Sequence, residues 1–238
     1  GIEFEFEDPD PDMRPALERI IEQQIGHVET DGSLSQGLEL ITRPADFEAW
    51  HGLFGHEFAQ VRSSIKALGG NFAGSKVGQH IHVSRAAFSN VGHLARAVIF
   101  HQFNGEYIFH LSGKTQDNFE RYSHVNKYSP STHRHGQNRS ELRTALKNRR
   151  DDRSRALNLT KEHSVEFRFW GGSNLESDVI SSVQWCHALI EYLRTMSSGE
   201  AIAGGLLSHS FHEFLVQSVE YSDALDMVNR RVPARFRE

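Results

Sequence analysis

Only one cysteine, Cys186, occurs in the 238 residues, so the chain cannot form an intramolecular disulfide framework or a cysteine-based zinc cluster. Its setting, "SSVQWCHALIEYL", reads as a helix face, and a packed thiol is expected. No apolar stretch approaches the roughly 20 residues that span a bilayer. Nothing has the parts of a cleaved signal either. The first residues already read as strand interior, so the protein is expected to extend a few residues upstream. Basic runs are absent apart from "LKNRRDDRSR", which Asp151 and Asp152 interrupt. With a formal charge of -5, neither nucleic acid nor a membrane is an expected partner. The chain has no Gly-x-x-x-x-Gly-Lys-Ser/Thr loop, which excludes a P-loop site, and no His-Glu-x-x-His, which excludes a helical zinc protease. It shows no internal repeat and no low-complexity linker. A globular chain in the reducing cytoplasm is the expectation.

Hydrophobic residues make up 38% and charged residues 24%, enough apolar content for an ordinary core. Histidine is over-represented, with 15 residues, several in close pairs: His80 and His82, His133 and His135, His209 and His212. Imidazole is the commonest metal ligand, so the excess invites a metal reading.

"GIEFEFE" alternates with period 2 and reads as a strand. "RPALERIIEQQIG" reads as a helix between Pro15 and Gly26. "HVETDGSLSQGLELITRP" reads as two extended pieces around the turn "DGS". "ADFEAWHGLFGHEFAQVRSSIKALGG" has an Asp cap and a closing Gly-Gly, and reads as one helix. "GQHIHVSRAAF" is a strand and "NVGHLARAVIFHQFN" a helix. Residues 105–152 are polar and irregular, with a helix near "SELRTALKNRR". "ALNLTKEHSVEFRFWGG" reads as a hairpin, "SDVISSVQWCHALIEYLRTMSS" as the strongest helix, and "SFHEFLVQSVEYSDALDMVNRR" as helical. One α+β domain over residues 1–238 follows, with a mainly antiparallel sheet, helices on one side and a helical C-terminal extension over 198–238.

Four of these strands carry ligand-type side chains on alternate positions. Glu3 and Glu5, with Glu7, share one face at roughly 7 Å intervals. A solvated strand face accounts for them equally well. Asp31 and Ser33 stand in a turn before Glu39, which sits between Leu38 and Leu40; an exposed strand carboxylate is the plain alternative. His80 and His82 share a face, an arrangement by which two imidazoles converge on one ion. Either histidine suits that role. Glu166 and Arg168 share a face as well, as a structural ion pair or as a metal ligand beside a phosphate-gripping guanidinium. Taken together, carboxylates with one or two histidines suit a hard cation such as Mg²⁺ or Mn²⁺. An arginine among them suits metal–nucleotide chemistry.

In this order, "GIEFEFE", "DGSLSQGLEL", "GQHIHVS" and "RALNLTKEHSVEFRFWGG" resemble the carboxylate–amine ligase superfamily of glutamine synthetase and glutamate–cysteine ligase. The amidoligase branch is the closer likeness, and it covers roughly residues 1–195. Gly78, His80 and Ser84 fit the Gly-x-His-x-x-x-Ser core of the glutamine synthetase ATP-region signature, and "VEFRF" its Glu-x-Arg strand. The resemblance implies a curved sheet forming a cup around metals and ATP, with helices packed outside. It implies Glu3, Glu5, Glu39, His80 and Glu166 as ligands of Mg²⁺ or Mn²⁺. Glu166 and Arg168 are then the catalytic pair, and Arg168, His82, Ser84 and Arg121 contact the nucleotide. The implied reaction activates a small-molecule or peptide carboxylate as an acyl phosphate, which an amine attacks. The stretch from Asn104 to Gln137 matches nothing in that family; Arg121 and Asn126 are candidate contacts there, and His133, Arg134 and His135 a covering loop. The residues themselves also allow a metal-dependent hydrolase or nuclease built on His80, His82 and the glutamates, or a non-catalytic binding module.

Overall fold

The period-2 alternation of the first strand is realised as a two-faced ribbon. Ile2, Phe4 and Phe6 are buried, and the glutamates between them lie on the opposite face. The computed structural model describes residues 1–7, 15, 18–19, 21, 25–32, 34, 37–74, 76–123, 125 and 154–238. The expected helices in "RPALERIIEQQIG" and "SELRTALKNRR" lie largely or wholly outside them, as do Ser33, Asn126, His133, Arg134 and His135.

Six strands form one antiparallel sheet: β1 (Ile2–Glu7), β2 (Gly26–Asp31), β3 (Gly37–Thr42), β4 (Gly78–Ser84), β5 (Leu157–Asn158) and β6 (Ser164–Gly171). Their order is β2-β3-β1-β4-β6-β5, so the sheet is open, with β2 and β5 at its edges. The turn and hairpin signals therefore gave the right strand pairs. Register brings the acidic positions into line: Glu5 lies opposite Glu39, Glu3 opposite His80, and both His82 and Asn158 opposite Glu166.

Among the helices, α1 (Phe47–His51) and α2 (Leu53–Ala67) replace the single helix expected there. Gly52, with φ of -106° and ψ of -139°, leaves helical space between them. Asp46 caps α1 as its sequence position suggests, accepting from Ala49 N–H at 2.8 Å. α3 spans Val91–Phe103. The stretch read as irregular from residue 105 instead starts with α4 (Gly105–Ser112) and α5 (Gln116–Tyr122). Tyr107, Ile108 and Leu111 supply the buried helical face of α4 within a polar context. α6 (Glu176–Thr195) buries Val179, Val183, Cys186, Ile190 and Leu193 at helical spacing. The expected C-terminal helix divides into α7 (Ser208–Gln217) and α8 (Ser222–Arg231), which pack on α6. Among the described residues, no helix is long and apolar enough to cross a membrane.

The helices cover the apolar face of the sheet. Phe4 packs on Phe58 of α2 and on Phe72, at ring separations of 6.0 and 5.1 Å, and Arg62 lies over the Phe4 and Phe72 rings. Between Gln79 and Ile81 of β4 the pairing slips by one residue on β6. That bulge breaks strict alternation, and Phe167, Phe169 and Trp170 all come within 6.5 Å of the Trp185 ring on α6. His93 and His101 are core histidines: His93 meets the Ile190 carbonyl at 2.9 Å, and burial pushes the His101 imidazole down to about 4. Part of the histidine excess is therefore packing.

Because Phe4 is fully buried directly behind Glu3 and Glu5, Phe4→Ala is expected to lose about 3–5 kcal/mol of unfolding free energy in a urea titration. A loss below about 1 kcal/mol would show that this face carries little of the fold.

Candidate functional site

The opposite face of the sheet is built from the odd positions of β1, the even positions of β4, Glu166 and Arg168 of β6, and Glu39. Strand alternation puts these side chains together, and the register draws them to one place. His80 is the centre. Its Nδ1 lies 3.3 Å from Glu3 Oε2 and 3.5 Å from Glu166 Oε1, and its Nε2 lies 3.6 Å from Glu5 Oε1. The imidazole thus divides the carboxylates into two groups. Glu3, His80 and Glu166 form one set of ligand-type atoms, and Glu5, Glu39 and His80 the other; within each set the atoms lie within 4.8 Å of one another. All five residues expected as metal ligands meet here.

Burial differs across the cluster. Glu166 is fully buried, and both its oxygens are held: Asn158 Nδ2 donates to Oε2 at 2.6 Å, and Arg168 Nη1 to Oε1 at 2.5 Å. Glu5 accepts the Gly78 backbone N–H at 2.6 Å. A side chain at Gly78 would put its Cβ 3.1 Å from that carboxylate and 3.5 Å from His80 Nε2, so the glycine keeps this approach open. His82 Nε2 lies 3.0 Å from Glu3 Oε1, and its Nδ1 is 3.3 Å from Ser164 Oγ. Burial raises the Glu3 carboxyl, but His80 and His82 outweigh that effect and hold it well below the usual carboxylate range.

Among the described residues, Glu39 is the uncompensated member of the cluster. Burial, followed by the charges of Glu3, Glu5, Asp31 and Glu29, pushes its carboxyl up to about 8. Two carboxylates and one imidazole in each set suit a hard divalent cation, whose charge would relieve this repulsion.

Two expected contacts sit elsewhere or act differently. Ser84 is exposed, and its hydroxyl accepts from Ala86 N–H at 3.2 Å, capping a short helical turn. Arg121 is exposed on α5 with its guanidinium 5.9 Å from the Tyr122 ring. From that region it is Ser123 that reaches β6, donating to the Arg168 carbonyl at 2.9 Å. Glu7 is exposed, away from the cluster, and accepts from Asn71 Nδ2.

Sequence reasoning passed over Asn158, Lys114 and Lys161. Asn158 carried the signal that marked Glu39, a polar residue between two leucines in a strand. Lys161 Nζ lies 4.0 Å from Glu3 Oε1, in the turn between β5 and β6. Lys114 arrives from the loop after α4, and burial, with Arg168 nearby, lowers its ammonium to about 8 against the opposing pull of Glu5. No local pattern marks a residue placed by tertiary packing.

The raised Glu39 gives a pH test in metal-free buffer. A folded-state value above the unfolded one means that this group's contribution to stability is lost as pH rises from about 4.5 through about 8. Glu39→Gln is expected to melt a few degrees above the wild type at pH 8 and together with it near pH 4.5. Parallel melting curves across that range would contradict the crowding. Comparison with known protein-family models and with curated protein sequences finds no match to this chain, so its function must be argued from this cluster.

Proposed function

We propose that the chain is an ATP- and Mg²⁺-dependent carboxylate–amine ligase acting through an acyl phosphate. The observation that carries the reading is the pair of carboxylate sets sharing His80, with Arg168 bonded to the Glu166 of one set. The ordered likeness of "GIEFEFE", "GLEL", "GQHIHVS" and "VEFRF" to glutamine synthetase and the amidoligases supports it. In this reading the polar face of the sheet is the inside of a cup like theirs.

Glu3, His80 and Glu166 would hold one Mg²⁺ or Mn²⁺, and Glu5 and Glu39 a second; a neutral imidazole has one ligating nitrogen, so His80 would serve one of the two. Bound cations supply charge neutralisation to phosphoryl oxygens. The remaining work falls to the chain's own side chains. Arg168 offers a guanidinium fork whose Nη1 is bonded to Glu166, and its buried Nε has no hydrogen-bond partner among the described residues. Asn158 fixes Glu166 so that its other oxygen faces His80 and Arg168. His82 holds Glu3 in place, and Ser164 holds His82.

The substrate carboxylate oxygen attacks the terminal phosphorus of ATP and ADP departs, leaving an acyl phosphate. An amine nitrogen then attacks the acyl carbon, phosphate leaves, and the nitrogen gives up a proton. ATP, a carboxylate and an amine become ADP, phosphate and an amide. The substrates fall in the class of small molecules or peptides, and an ATP-consuming reaction suits the cytoplasm.

Thermal melting with and without Mg·ATP tests the reading. At about 100 times its Kd a ligand adds about 2.7 kcal/mol, which for a chain of this size is an upward shift of about 5–10 °C. The wild type is expected to shift by that amount and Glu166→Gln by a small fraction of it. ATP should then be converted to ADP and phosphate only when a carboxylate acceptor is present. No shift in the wild type would end the ligase reading, and turnover of esters or phosphodiesters without ATP would replace it with a metal-dependent hydrolase.

A further inference from the structure

Lys114 is a cation beside the cluster that the reading above leaves without a task. Gly113, with φ of 70°, ends α4 and turns the chain back toward β6. The lysine stem then lies against Gly171, where a Cβ would stand 3.2 Å from Lys114 Cγ. Its Nζ donates to Ser123 Oγ at 2.7 Å and to the Arg168 carbonyl at 3.2 Å. β5 is only two residues long; Ala156, just before it, still takes the Arg168 N–H at 2.9 Å, and the Arg168 carbonyl is satisfied by Lys114 and Ser123.

Edge satisfaction alone does not require a charge. A neutral donor does it, and Ser123 already does. The ammonium has three N–H groups and uses two of them on these acceptors. Its charge lies within electrostatic reach of Glu5, which attracts it, and of Arg168, which repels it. Arg168 likewise keeps a buried Nε without a partner among the described residues. A lysine and an arginine that repel each other beside one cluster are complementary to an anion that reaches both. If the carboxylates of the cluster are engaged by cations, Glu5 no longer offsets the lysine, and the demand for that anion rises.

We propose that Lys114 and Arg168 together seat the terminal phosphoryl group of the nucleotide, an inference that rests on the ligase reading. Lys114 then discriminates a nucleoside triphosphate from a diphosphate. Its flexible stem supplies a point charge where the arginine supplies a planar fork.

Titration calorimetry of Mn²⁺ alone, Mn·ATP and Mn·ADP separates the possibilities, using the wild type, Lys114→Met, Lys114→Arg and Ser123→Ala. Lys114→Met is expected to weaken Mn·ATP at least tenfold and Mn·ADP less than threefold, with Mn²⁺ binding unchanged. Lys114→Arg should recover most of the loss, and Ser123→Ala should bind both nucleotides like the wild type. Equal loss for ATP and ADP, or a Ser123→Ala variant as impaired as Lys114→Met, would mean that the lysine only braces the β6 edge, and the inference would fall alone. A wild type that binds Mn²⁺ but neither nucleotide would take the ligase reading down with it.

Discussion

Carboxylate crowding around His80 is the constraint on which the rest of the structure depends. Two unit charges 4 Å apart repel by about 4 kcal/mol at an effective dielectric of 20, more than burial of one large side chain returns. Glu3, Glu5, Glu39 and Glu166 cannot share a face without local compensation. The molecule supplies it unevenly. Glu166 has Arg168 and Asn158, Glu5 has the Gly78 N–H, and Glu3 has both histidines. Glu39 has none of these and carries the residual cost as a carboxyl that ionises late.

A face so occupied contributes little to folding, so the stabilising area lies behind it. Phe4 and Phe6 stand between the glutamates in sequence and opposite them in space, packed on Phe72 and Phe58. The β6 bulge repeats the device where it matters most. It adds Trp170 to Phe167 and Phe169 on the side facing Trp185 while Glu166 and Arg168 stay on the polar side. α6 is tied in turn to α8 through Asp178, which pairs with Arg230 and Arg231. The site is therefore mounted against a fully buried aromatic core, which suits a geometry that must hold like charges in register.

Side-chain alternation is a local rule, and what it governs was legible in the residues. Glu3, Glu5, Glu39, His80, Glu166 and Arg168 were all named from period 2, and all lie on one face. Register follows from the same rule once the turns are known. Features set by contacts distant in sequence were not legible. The lysine and serine that reach the Arg168 carbonyl come from a stretch whose polar composition concealed α4 and α5. The break at Gly52 lay inside a pattern helical on both sides. Arg121 and Ser84 carried chemistry-bearing side chains without the placement to match, since a strand end and an exposed helix face offer no converging partners.

The central claim is that this face holds two divalent cations with His80 between them. Diffraction from crystals soaked in Mn²⁺, collected for anomalous scattering from the metal, tests it most directly. The account predicts two peaks, one among Glu3, His80 and Glu166 and the other beside Glu5 and Glu39. Peaks confined to other surfaces, or a cluster left without metal at saturating Mn²⁺, would contradict it.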